Sequence, residues 1–89
     1  MPTVSRFLGI SILIFYLDTG EHSLPHLHAR YGGAEAVFSI PDGDILAGSL
    51  PKRQARAVQT WMLLRERELN EAWARAVVGE APGPISPLQ

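Results

Sequence analysis

Eighty-nine residues with an apolar share of 46 % make one small domain, of a size that buries only about 60 to 65 % of the surface its unfolded chain exposes. The lack of cysteine removes disulfide frameworks, thiolate metal sites and cysteine nucleophiles together. The net charge is −1, with two arginines against five acids in residues 1–50 and six basic residues against four acids in residues 51–80, so nucleic acid is only a weakly supported partner.

The first predicted element is a short edge strand over "TVSRF", turned at Gly9. It leads into "ISILIFYL", residues 10–17, whose β-branched and aromatic residues predict a strand with two apolar faces: Ile10, Ile12, Ile14 and Tyr16 on one, Ser11, Leu13, Phe15 and Leu17 on the other. Such a strand needs cover on each side, from helices on one and from the C-terminal tail or a second copy on the other. The apolar run of residues 7–17 is too short to cross a bilayer and has no strongly basic leader or small-residue cleavage site, which predicts a cytoplasmic protein without membrane contact.

After the polar segment "DTGEHSLP" come two alternating runs, "HLHARY" and "AEAVFSI", joined by Gly32 and Gly33. This is the pattern of a tight hairpin with positive φ at its turn. Pairing Tyr31 with Ala34 sets the register. Leu27 then faces Phe38 and Ala29 faces Ala36 on the core side, while Arg30 faces Glu35, His28 faces Val37 and His26 faces Ser39 on the other.

"PDGD" at residues 41–44 is a second turn signal, followed by a strand over "ILAGSL" and by Pro51, suited to the first turn of a helix. From there an apolar stripe at Ala55, Val58, Met62, Leu69, Trp73 with Ala72, and Ala76 keeps a helical period but is interrupted at Arg65. An unbroken helix of about 28 residues would run roughly 42 Å, too long for so small a sheet, so a bend or break is expected near residues 64–68. Gly79 marks the end of the helices, and "APGPISPLQ" predicts an extended proline-rich tail. The fold class is therefore α+β: an antiparallel four- to five-stranded meander packed on one face by a C-terminal helical hairpin or bent helix, with residues 1–79 as the domain and 80–89 as the tail.

All three histidines fall within "EHSLPHLHARYGG", residues 21–33. His26 and His28, two apart on a strand, point the same way and could hold a divalent transition metal such as zinc, with His22 or Glu21 supplying a further bond; Arg30 on the same face opposes a cation. The same residues allow acid–base chemistry, with His26, His28, Arg30 and Glu35 as base, acid and phosphate-binding cation of a ribonuclease-like or phosphodiesterase site, although no independent nucleophile or phosphate loop accompanies them. The plain alternative is that the imidazoles satisfy backbone groups or pack beside Phe15 and Val37. Trp61 and Trp73 read as core or interface anchors. Lys52, Arg53 and Arg56 crowd the start of the first helix, where the dipole disfavours cations, and a contact with an acidic partner or nucleic acid would account for them.

The opening "MPTVSRFLGI", the "EHSLPHLHARYGG" segment, "AVFSI" with "PDGDIL" and "LPKR", and the later "REREL" and "EAW" together resemble a small bacterial family catalogued as domain of unknown function 4160. The resemblance implies small cytoplasmic proteins, often encoded beside another short protein in an arrangement comparable to toxin–antitoxin pairs. Ser23 and Leu24 stand where the family usually has Asn and Pro, and Arg30 stands where it commonly has Glu. The combined expectation is a binding or regulatory module acting through a small protein partner or through self-association, toxin–antitoxin-like in character, with the histidine-based ribonuclease or phosphodiesterase, metal-assisted or not, as the alternative.

Overall fold

The computed structural model describes residues 3–15 and 24–88. Five strands lie in one antiparallel sheet in the order β1-β2-β3-β4-β5, each beside its neighbour in sequence: β1 (Thr3–Phe7), β2 (Ile10–Leu13), β3 (His26–Tyr31), β4 (Ala34–Ser39) and β5 (Ile45–Ser49). Two helices follow, α1 (Lys52–Leu64) and α2 (Glu66–Val77). This is the expected α+β meander with a C-terminal helical pair.

The β3–β4 register matches the expectation at all six pairs, from His26 opposite Ser39 to Tyr31 opposite Ala34. Gly32 carries the turn at φ 57, the sign that a two-residue hairpin matched to strand twist requires and that side chains resist. Alternation then sends Leu27, Ala29, Ala36 and Phe38 into the core, all at 0 % exposure, where they meet Val58, Trp61, Met62, Leu69, Ala72 and Ala76 of the helices. Trp61 stacks at a tilt on Phe7 with centroids 5.3 Å apart and donates its indole N–H to the Ser86 carbonyl at 2.7 Å.

The helical segment breaks at Arg65, inside the expected window, where φ −118 and ψ 26 leave the helical region and its N–H reaches back to the carbonyls of Trp61 and Met62. Pro51 caps α1 from outside at ψ 146 rather than occupying the first turn. Within residues 10–17, strand pairing extends over Ile10–Leu13 only; Ile14 and Phe15 continue without a ladder, and Tyr16 and Leu17 lie outside the described residues.

The tail takes a different place from the expected one. It does not cover the sheet face opposite the helices. Ile85 enters the helix-side core at 6 % exposure, its N–H donates to the Val4 carbonyl at 2.7 Å, and Arg75 holds the carbonyls of Ala81 and Pro82. The reason is chemical: Trp61 needs a buried acceptor and Arg75 needs carbonyls, and the proline-rich segment, with few N–H groups to satisfy, supplies both. On the opposite face, Leu13 is only 2 % exposed and lies outside the main core cluster. No helix among the described residues is long and apolar enough to cross a membrane.

The β1–β2 turn is made by Leu8 at φ 52 and Gly9 at φ 77, and Leu8 is 65 % exposed. A leucine in the left-handed region carries strain of about 1 kcal/mol with no burial to offset it. Leu8→Gly or Leu8→Asn should therefore raise the unfolding free energy by about 0.5 to 1 kcal/mol, read from urea midpoints at unchanged slope.

Candidate functional site

Strand alternation delivers His26 and His28 to the face away from Leu27 and Ala29, and their rings meet edge to face with centroids 5.3 Å apart. The contact extends in both directions. Trp73 of α2 lies 5.2 Å from His26, and Phe15, just past β2, meets His28 edge-on at 4.7 Å. The Arg30 guanidinium sits 5.9 Å from the Phe15 ring centre. Four rings thus form a row across the start of β3, ending at a cation.

Glu35 of β4 is opposite Arg30 and diagonal to His28, so its carboxylate reaches both. One oxygen accepts from His28 Nδ1 at 2.9 Å, and the other lies 3.5 Å from Arg30 Nε. The hydrogen bond from His28 chiefly, and the Arg30 charge after it, hold the Glu35 carboxyl below its ordinary 4.5. His26 Nδ1 approaches the Leu24 carbonyl at 2.8 Å. A carbonyl and an ionised carboxylate can only accept, so each imidazole carries its proton on Nδ1, and in the neutral ring the lone pair is on Nε2. The Nε2 atom of His28 is itself buried.

Four of the six sequence-derived site residues are therefore brought together: His26, His28, Arg30 and Glu35. The other two metal candidates, His22 and Glu21, lie outside the described residues. Among the described residues no group of three or more His, Asp or Glu side chains could hold a metal ion. Both parts of the plain reading are present as well, since His26 satisfies a backbone carbonyl and His28 packs on Phe15. Trp73 is legible only as an anchor; it lies on α2, beyond the helix break at Arg65.

The Glu35 linkage has a definite sign. A carboxyl whose folded value is lowered contributes stability above its unfolded value, and that contribution disappears as pH falls through the folded value. Glu35→Gln should lower stability near neutral pH, and its difference from the parent should shrink as pH falls through the lowered folded value of the carboxyl, measured by urea unfolding across the acid range.

A search of curated proteins and of solved structures gives no match. A family model does: it covers residues 9–74, from the β1–β2 turn through the ring row and into α2, and its description is a domain of unknown function. The chain belongs to the DUF4160 family.

Proposed function

We propose that this protein is a small binding or regulatory module that recognises a protein partner through the ring row of Trp73, His26, His28 and Phe15 and the Arg30–Glu35 pair at its end. The observation that carries this reading is the row itself: aromatic and imidazole edges on a sheet face, partly exposed and closed by a guanidinium, are the composition of interface anchors. His28 and Glu35 keep 20 % and 41 % of their side-chain surface open, so the row is reachable yet fixed by packing. A toxin–antitoxin-like pairing fits this arrangement, and the family resemblance, which implies a second short protein encoded alongside, makes such a protein the partner to test.

The informative changes are Trp73→Ala and Arg30→Glu, at the two ends of the row. Each should weaken binding of the co-expressed neighbouring protein by at least about tenfold in a calorimetric titration, with the far-ultraviolet circular dichroism unchanged. Full binding by both variants would remove this reading.

The fixed tautomers support a second reading. Metal-binding histidines commonly donate their other ring N–H to a carboxylate or carbonyl, as His28 and His26 do here, and the same arrangement orients an acid–base imidazole beside Arg30 for phosphodiester chemistry. On this reading the untagged protein takes up zinc stoichiometrically or cleaves RNA, and the His26→Ala, His28→Ala double variant loses that property by at least a hundredfold. Wild-type protein that neither binds zinc nor cleaves RNA excludes it.

A further inference from the structure

The two rims of the sheet are finished differently. At β1 the tail closes the rim, through the Ile85 to Val4 hydrogen bond and the near contact of Gly83 with Val4. At β5 every residue is exposed, and Ile45 and Leu46 keep 45 % and 48 % of their surface open. Between Ile45 and Leu50 there is no charged residue and no proline, two of the devices that protect an outer strand; a third, a register shift that bends the strand, is present. A register shift and Gly48, at φ 72, draw the strand against β4, where a Cβ at 48 would collide with the Glu35 carbonyl. Neither feature covers the outer side.

Charge along this rim is arranged in two blocks. Asp42 and Asp44 precede the strand, while Lys52, Arg53 and Arg56 follow it in the first turns of α1, where no acid offsets them against the helix dipole. An antiparallel pairing of the strand with itself brings the acidic turn before β5 of one copy toward the basic start of α1 of the other, and repeats that approach by symmetry. The exposed Leu63, one helical turn beyond the Gln59 that hydrogen-bonds the Gly43 carbonyl, adds apolar surface beside the same rim.

We propose that β5 is a self-association edge: two copies join β5 to β5 in antiparallel orientation, extending the sheet across a two-fold axis, with the acidic turn of each copy against the basic start of α1 of the other. A strand paired in this way satisfies its outer N–H and C=O groups, covers Ile45 and Leu46, and gives the cations at the α1 N-terminus a partner. This edge is two strands away from His28 and leaves the ring row open, so its failure would not bear on the proposed partner site.

Sedimentation equilibrium over a dilution series from the millimolar to the micromolar range tests it. The wild type should show a reversible dimer. Leu46→Lys should give a monomer at all concentrations, and Lys52→Asp, on an exposed helix position that the fold does not need, should weaken association by about tenfold because the ion pair occurs twice. Combining Asp42→Lys with Lys52→Asp in one chain should restore the dimer. A wild-type monomer throughout, a dimer unchanged by Leu46→Lys or by Lys52→Asp, or a charge-swapped chain no better than Lys52→Asp alone would each overturn the proposal.

Discussion

Because side chains alternate across a strand, the turn at Gly32 and Gly33 decides which residues of β3 reach the core and which reach the other side. Sliding β3 by one residue along β4 would turn His28 and Arg30 toward the core and Leu27 and Ala29 out of it. That alternative exchanges well-packed apolar surface for unpaired polar groups, and each such group costs about 1 to 3 kcal/mol when buried. The candidate site is thus a by-product of core formation: the same register that closes the core under the helices lines up His26 and His28 opposite it.

What the register leaves undecided is supplied from other parts of the chain. Glu35 reaches diagonally to join His28 and Arg30 into one charged cluster. Trp73 arrives on α2, and Phe15 arrives from the segment after β2. Three separate stretches therefore converge on β3, one of them from beyond the helix break at Arg65.

Much of this was readable beforehand, and for definite reasons. The paired glycines between alternating runs predict a hairpin because few other residues tolerate the turn geometry, and period-two alternation then assigns every side chain of β3 and β4 to a face. The helix break was legible from the lone Arg65 in an apolar stripe. Less legible were contacts that depend on three-dimensional approach: the reach of Trp73 to His26, the burial of Leu13 and the course of the tail. "APGPISPLQ" shows that the chain is extended there. It carries no signal for the carbonyl partners it offers to Trp61 and Arg75, because backbone acceptors are the same in every residue.

The hydrogen bond between Ile85 and Val4 joins segments 81 positions apart in the chain. Closing so long a loop carries a large entropic cost before any contact repays it, and raises the contact order of an otherwise local meander. The hairpins and helices can form from neighbouring residues as synthesis proceeds, but the first strand acquires its outer support only when the residues around Ile85 are available. The docking of the tail on β1 is therefore the most non-local closure in a sheet whose five described strands are all set by nearest-neighbour pairing.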